Sequence, residues 1–481
     1  MTPPDKQTDS PPLPRIIQGG MGVAVSNWRL ANAVSRAGQL GVVSGTMLDT
    51  VLVRRLQDGD PHGDMRRAIA HFPIPGVGDE VLRRYFNPGG RAIGAAYKAL
   101  PMYKQVVSVA RQRVTVLANF VEVWLAKEGH AGKVGINLLT KVQMPNLASL
   151  YGAMLANVDV VIMGAGIPRD IPGVLDNYVN HSVAQIKLDV EGLGRDEAEF
   201  LTFDPVAHWP STTVPTTPLR RPIFLAIVSA ASLAATLARK SNGRVDGFVV
   251  EGSTAGGHNA PPRGPMQLDA LGEPLYGERD VVDLAKMREL GLPFWLAGGT
   301  GSPEGLATAM AAGAVGIQVG TLFAYCEQSG IDPAIRERVL HAVVAGEASL
   351  RTDPRASPTG YPFKIVTLPG DEGRAEARQR ICDLGYLRVA ARTADGRMVY
   401  RCSAEPVDTY VAKGGNIADT EGRRCLCNGL TATIGQPQRR TATGEEEIPL
   451  ITSGDDLLSM TDFINTHPAY TAEDAIAYLS T

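Results

Sequence analysis

The sequence predicts an α/β fold: a (β/α)8 TIM barrel with an insertion after strand 2 and a C-terminal, mainly helical, Cys-containing subdomain. Three observations carry this. Short apolar, β-branched runs recur between residues 14 and 330, each followed by a helix or a helix-like segment. The chain opens strand, turn, helix, strand, an order that leads to parallel pairing. Glycines gather where the strands stop, the end at which α/β sheets keep their chemistry. A doubly wound parallel sheet is the alternative reading of the same pattern.

Taken in order, residues 1–13 read as a flexible tail, with prolines and aspartates and no apolar core. That composition excludes a signal peptide. The first strand covers 15–18 and ends in Gly19-Gly20-Met21-Gly22. Ser26 is placed as the N-cap of a helix with Leu30, Ala31, Val34 and Ala37 on one face, and Gly38 as its C′ residue. Residues 41–44 form the second strand. Residues 58–105, rich in proline, histidine and basic side chains, interrupt the rhythm before a long helix at 105–128. They are expected to form either a lid over the site or a scaffold loop.

Strand three is 134–138, and a helix with Pro145 near its start precedes strand four at 158–163. Residues 184–204 alternate in character as an inserted hairpin does. Strands five to eight follow at 223–228, 247–251, 294–297 and 315–319. Ser302 and Pro303 mark the start of a short helix after the seventh. Beyond residue 330 the repeat stops. Asp332-Pro333 opens a helix, irregular pieces carry Cys382, Cys402, Cys425 and Cys427, and Thr471 with Asp474 caps a last helix. The domain boundaries expected are a barrel at 14–330 and an accessory subdomain at 331–481.

Bulk properties remove several function classes. The 481 residues are 44% hydrophobic and 20% charged, with a formal net charge of -3. That composition fits a globular protein and gives no electrostatic footprint for nucleic acid. The longest apolar run, 223–238, is broken by Ser229, Ser232 and Thr236 and is shorter than the ~20 residues of a membrane span. Five scattered cysteines suit a reducing, cytoplasmic setting.

The chemistry is expected at the C-terminal ends of the strands. The run Val249-Val250-Glu251-Gly252-Ser253-Thr254-Ala255-Gly256-Gly257-His258 takes the sixth strand straight into a glycine turn that presents one histidine, a general acid/base by residue type. Gly298-Gly299 and Gly320-Thr321 follow strands seven and eight, where barrels bind phosphate through backbone N–H groups. Gly299-Thr300-Gly301 is not a dinucleotide fingerprint, because the next strand ends without the acidic residue that holds a ribose. No Walker lysine is present. A mononucleotide phosphate remains, and FMN is the natural one for this architecture. Its ring would then lie against the backbone of Gly19, Gly20 and Met21 and the amide of Asn137. Cys425-Leu426-Cys427, with Cys382 and Cys402, offers four sulfur ligands for zinc or an iron–sulfur cluster, or else four reduced, buried cysteines.

Four segments together resemble the nitronate monooxygenase (2-nitropropane dioxygenase) family: I-I-Q-G-G-M-G, V-E-G-S-T-A-G-G-H-N, L-A-G-G-T-G and I-Q-V-G-T-L-F. The resemblance spans roughly residues 14–325. It implies a barrel that binds FMN non-covalently, with Gly19, Gly20 and Met21 at the flavin ring. Gly257, Gly298, Gly299, Gly320 and Thr321 would stand on the phosphate side, and His258 would match the family's catalytic histidine. The G-G-M-G turn, the 58–105 insertion and the long C-terminal region look more like a branch that includes trans-acting enoyl reductases of polyunsaturated fatty-acid and polyketide synthases. The resemblance therefore implies one of two activities. One is oxidation of nitronates or nitroalkanes with O2 to a carbonyl compound and nitrite. The other is NAD(P)H-dependent reduction of an enoyl thioester, with an acyl carrier protein as possible partner. A flavin-binding or carrier-docking subunit without turnover is the rival from another class.

Overall fold

The computed structural model describes residues 13–481. Apart from Leu13, the tail expected at 1–13 lies outside the described residues. In chain order the strands are β1 (Ile16–Gln18), β2 (Gly41–Ser44), β3 (Val134–Leu139), β4 (Val160–Gly164), β5 (Ala184–Leu188), β6 (Val190–Glu191), β7 (Glu199–Phe203) and β8 (Ile223–Val228). They continue as β9 (Gly247–Glu251), β10 (Phe294–Ala297), β11 (Gly316–Val319), β12 (Ser349–Asp353), β13 (Phe363–Thr367), β14 (Val389–Arg392) and β15 (Met398–Arg401).

Eight of them form one parallel sheet in the order β1-β11-β10-β9-β8-β4-β3-β2. The sheet closes between its first and last strands at Leu40, whose N–H donates to Ile16 and whose carbonyl accepts from Gln18. The fold is a (β/α)8 barrel. Alternate residues point inward, so Ile17, Val42, Val160, Ile162, Leu225 and Val249 make the barrel's interior cluster. Trp295 plugs it, almost fully buried, with its indole N–H on the Pro14 carbonyl. The opposite faces, including Ile136, Val161, Phe224, Phe248 and Phe294, join the larger core under the helices.

The 184–204 hairpin exists as the antiparallel pair β5–β7. Ser302 accepts from Gly305 N–H with Pro303 in the first turn, and Thr471 and Asp474 form the capping box. Ser26 is not an N-cap. Asn27 takes that role, its side chain accepting from Leu30 N–H. The Ser26 hydroxyl is already committed: it accepts from Met21 N–H at 2.8 Å and donates to the Gly19 carbonyl at 2.7 Å.

Residues 58–105 carry helices Asp64–Ile69 and Val77–Tyr85. Met65, Ile69, Val77, Val81 and Tyr85 bury there in the main core. Both helices pack on the long helix Val109–Lys127. No residue of this stretch lines the large cleft at the barrel mouth, so it is scaffold and not a lid.

The C-terminal region carries two hairpins that a mainly helical reading did not anticipate, β12–β13 and β14–β15. Their strands are four or five residues long, too short for an alternating pattern to stand out. The region is tied to the barrel by a buried network. Asp49 pairs with Arg111 at 2.8 Å, accepts from Thr115 at 2.7 Å, and accepts from the Tyr386 hydroxyl. Arg111 beside it, with these hydroxyls, holds the Asp49 carboxyl below the usual range even though burial opposes this. A shared apolar cluster does the rest, joining Val23, Met47 and Val51 of the barrel side to Phe363, Leu426 and Leu450.

Candidate functional site

The barrel mouth opens into a cleft of about 1470 Å³, open solvent included. Gly19, Gly20, Met21, Asn137, Gly257, His258, Gly298, Gly299, Gly320 and Thr321 all line it. Each is delivered by a strand end, which is why residues spread over some 300 positions meet.

The turn after β1 passes close to β3. A Cβ on Gly20 would lie 2.2 Å from Asn137 Cβ, so the close approach requires glycine. Ser26 holds the Met21 end of that turn, and Gly19 N–H donates to Val319 at 2.8 Å. After β10, Gly298 and Gly299 have φ of 87° and 68°, the left-handed region, and a Cβ on Gly298 would meet Ala255 N at 2.8 Å. This turn stacks on the turn after β9.

His258 sits at the end of that β9 turn. Its Nε2 is 2.6 Å from Ser357 Oγ, which is itself 2.8 Å from Thr359 Oγ1. The Phe363 ring meets the imidazole edge to face, with centroids 4.8 Å apart. Burial lowers the imidazole pKa to about 4, so the ring is neutral near pH 7. Glu251, the last residue of β9, also lines the cleft, and burial pushes its carboxyl up to about 7.

The C-terminal region closes one side, a contribution the sequence reading missed. Gly257 N–H donates to Thr452 Oγ1 at 2.9 Å, and Gly454 N–H donates to Thr321 Oγ1 at 3.0 Å. Asp456 accepts from Gly301 N–H at 3.3 Å, and burial pushes its carboxyl up. Residues 451–456 thus run as a strap across the turns after β9, β10 and β11. Ser357 and Glu251 were likewise given no role. Glu251 lay within the quoted stretch, and its apolar surroundings in the strand were the available signal.

The residues fit a flat cofactor with an anionic tail. Small glycine turns leave the cleft floor open, and Gln318 Oε1 is buried without a hydrogen-bond partner among the described residues. One feature works against an anion: the Asp456 carboxylate already stands at the turn after β10.

The four late cysteines lie outside this cleft. Cys382, Cys402, Cys425 and Cys427 all line a second, small cavity of about 10 Å³. Among the described residues, no group of three or more His, Cys, Asp or Glu is spaced to hold a metal ion. The expectation of a zinc or iron–sulfur site at these cysteines is corrected accordingly. A metal centre draws its sulfur ligands to about 2.3 Å, whereas these four are free thiols in the lining of a small, mostly apolar cavity.

Fold and site together define a (β/α)8 barrel with glycine-lined loops and one half-buried histidine at its mouth. Residues 196–350, most of them in the barrel, match the nitronate monooxygenase family model. The chain is 38% identical over 116 residues to a nitronate monooxygenase of Paraburkholderia phytofirmans, covering 24% of this chain and 29% of the relative. A probable nitronate monooxygenase of Bacillus subtilis is 34% identical over 98 residues, covering 20% of this chain and 26% of the relative. The matches thus span less than a third of these relatives. Similar solved structures include FabK from Thermotoga maritima, at 16% identity and a TM-score of 0.45 over 97% of this chain and 91% of that one. Another is the enoyl reductase domain of MlnA from Bacillus amyloliquefaciens, at 12% identity and a TM-score of 0.47 over 97% and 93%. A nitroalkane oxidase from Streptomyces ansochromogenes aligns at 15% identity and a TM-score of 0.45 over 97% and 94%. Among the described residues, no helix is long and apolar enough to cross a membrane.

Proposed function

We propose that this chain is an FMN-dependent oxidoreductase of the nitronate monooxygenase type, acting on nitronates or nitroalkanes with O2. The observation that carries the reading is a neutral imidazole, held at Ser357, in a glycine-floored cleft. FMN bound there would supply the electron-accepting chemistry. Gly19, Gly20, Met21 and Asn137 would hold its ring. Gly257, Gly298, Gly299, Gly320 and Thr321 would surround its phosphate. In the tautomer whose Nε2–H donates to Ser357 Oγ, Nδ1 would be the basic nitrogen left for substrate. It would take the proton from the carbon beside the nitro group, and the resulting imidazolium would face the nitronate oxygens. Phe363 packs edge to face against the imidazole and gives it an apolar neighbour.

Glu251 favours a second reading. A carboxyl with a pKa of about 7 is half protonated at neutral pH and can give a proton, which an imidazole of pKa about 4 does poorly. That suits an enoyl-thioester reductase using NAD(P)H, with an acyl carrier protein as its possible partner. Anaerobic reduction of the bound flavin separates the two. Fast bleaching by a nitronate, with NADPH and NADH slow, supports the first reading, and fast bleaching by NADPH alone overturns it in favour of the second. Protein that takes up no FMN overturns both.

The strap supplies a further expected outcome. If the phosphate lies at the turn after β10, the Asp456 carboxylate opposes it. Asp456→Asn then tightens FMN binding several-fold, a change of about 1 kcal/mol. The gain grows as pH rises through the Asp456 pKa and that repulsion develops. Fluorescence titration of apoprotein with FMN measures it, and equal or weaker binding by the variant removes the phosphate from that corner.

A further inference from the structure

A third cavity lies in the C-terminal region, with a volume of about 290 Å³. That is near the lower bound of small-molecule pockets. Four arginines, Arg378, Arg380, Arg423 and Arg424, line it together with two glutamates, Glu376 and Glu447. All four arginines are half-buried. In a chain of formal net charge -3, the cavity is a local reversal of sign. Ile448, Pro449 and Leu450 supply an apolar wall.

The two carboxylates do not use up the cations. Glu447 accepts from Arg378 through both oxygens and also from Arg440, which reaches on to Asp383 at 2.9 Å. Glu376 meets Arg424 only at 3.4 Å and is largely exposed, so solvent screens that pair. Arg380 and Arg423 have no carboxylate partner among the described residues. Backbone holds them instead. Arg380 donates to the Ser403 and Thr420 carbonyls at 3.2 and 2.6 Å. Arg423 donates to the carbonyls of Asp419, Arg355 and Ser357 at 2.9, 2.8 and 2.5 Å. Both guanidiniums are thereby anchored at the turn of Asp419 and Thr420. Arg380 Nε and Arg423 Nη2 keep no partner among the described residues. A guanidinium fixed in this way presents its remaining donors to an oxyanion at little further cost in freedom. Four guanidiniums against two carboxylates leave two positive charges in surplus, and Arg440 with Asp383 behind them cancel. A phosphate monoester, nearly a dianion at pH 7, matches that surplus. A carboxylate would neutralise half of it.

We propose that this cavity binds the phosphate of a small organic phosphate, with Arg380 and Arg423 as its main partners and Arg378 and Arg424 beside them. The site adjoins the barrel mouth. Leu450 lines both spaces, and helix Leu426–Thr433 puts Gly429 on the phosphate side and Leu430 and Thr433 on the cleft side. Helix and wall are in close contact there, since a Cβ on Gly429 would stand 2.7 Å from Leu450 Cβ. The identity of the phosphate's bearer rests on the second reading above, in which a reduced dinucleotide or a pantetheine thioester carries it. The phosphate site itself does not depend on the reaction proposed for His258.

The test is calorimetric titration of the full chain, saturated with FMN, with 2′,5′-ADP and with 4′-phosphopantetheine. Adenosine and pantetheine are the phosphate-free counterparts. The expected result is one-to-one binding of at least one of the two phosphates, with its counterpart at least about tenfold weaker, the factor that a charge-assisted hydrogen bond contributes. The tighter phosphate identifies the bearer as dinucleotide or pantetheine. Arg380→Gln combined with Arg423→Gln lowers that affinity by about tenfold or more and leaves bound FMN unchanged. Those two side chains also hold backbone carbonyls, so Arg424→Glu is the second variant. Its guanidinium meets only the exposed Glu376, and the reversed charge weakens binding several-fold without removing an anchor. No binding of either phosphate, equal binding of the counterparts, or wild-type affinity in both variants would each overturn the proposal. Flavin bleaching by NADPH or a nitronate reads the reaction and not this site, so the two readings fail separately. Protein that takes up no FMN is titrated as it stands, and the arginine variants still locate the phosphate.

Discussion

Changing His258 to Asn lowers turnover by about 10²–10⁴-fold, the range for loss of a general acid or base, and leaves bound flavin at the wild-type level. Asparagine keeps a polar side chain beside Ser357 but has no basic nitrogen. The flavin would be held by the backbone turns after β1, β9, β10 and β11 and by the Asn137 amide, and the His258 side chain is not among those contacts. The two functions therefore separate in the variant. The pH profile identifies the role more sharply. Burial holds the imidazole at about 4, so a base at this position is already active in mild acid. With the neutral form as the working state, kcat/KM for a neutral nitroalkane rises through pH ~4 and loses that limb in the variant. A limb near 7 that survives in the variant and disappears in Glu251→Gln would assign the titration to Glu251. Steady-state rates between pH 4 and 9 for wild type and both variants decide the matter. Wild-type turnover in His258→Asn would remove His258 from the chemistry.

The same burial makes His258 an acid-sensitive element of the fold. Its folded pKa lies below the ~6.5 of an unfolded histidine, so the unfolded chain binds more protons between about 4 and 6.5. Stability from this group is complete above ~6.5 and declines as pH falls through that window.

How much of this was legible in the sequence depends on the range of the interactions involved. Strand β9 and the turn to His258 were readable because two valines, three glycines and one histidine lie within ten residues. Ser302 and Pro303 were readable because a cap is a local device. Ser357 was not, since it meets His258 across 99 positions, and Thr452 meets Gly257 across 195. Neither segment has a periodicity that announces a cleft wall. Ser26 shows the opposite error. Its residue type suits a cap, but the turn after β1 had the stronger claim on its oxygen. The four cysteines were noticed as residues, but only the folded chain shows that Cys382 and Cys402 reach the Cys425–Cys427 helix.

The largest stability effect is expected at Asp49. It lies on helix Leu48–Gln57, Arg111 on the long helix, and Tyr386 in the C-terminal region, so one carboxylate joins three parts of the molecule. Both charged side chains are almost fully buried, at 3% and 2% exposure. Asp49→Ala leaves the Arg111 guanidinium buried without its counter-charge and strips the Tyr386 and Thr115 hydroxyls of their acceptor. Breaking a buried pair in this way costs about 3–5 kcal/mol, more than the pair itself contributes. Removing Arg111 as well relieves the stranded charge, so Asp49→Ala with Arg111→Met costs less than the sum of the single changes. The pH dependence has a definite sign. Because the folded carboxyl is held below the ~3.9 of an unfolded aspartate, its contribution is complete above that value and is lost as pH falls through the folded pKa. Urea midpoints of the two single variants and the double, measured at pH 7 and again near pH 3, test both statements. Equal midpoints for wild type and Asp49→Ala at pH 7 would show that the C-terminal region is held to the barrel by its apolar contacts alone.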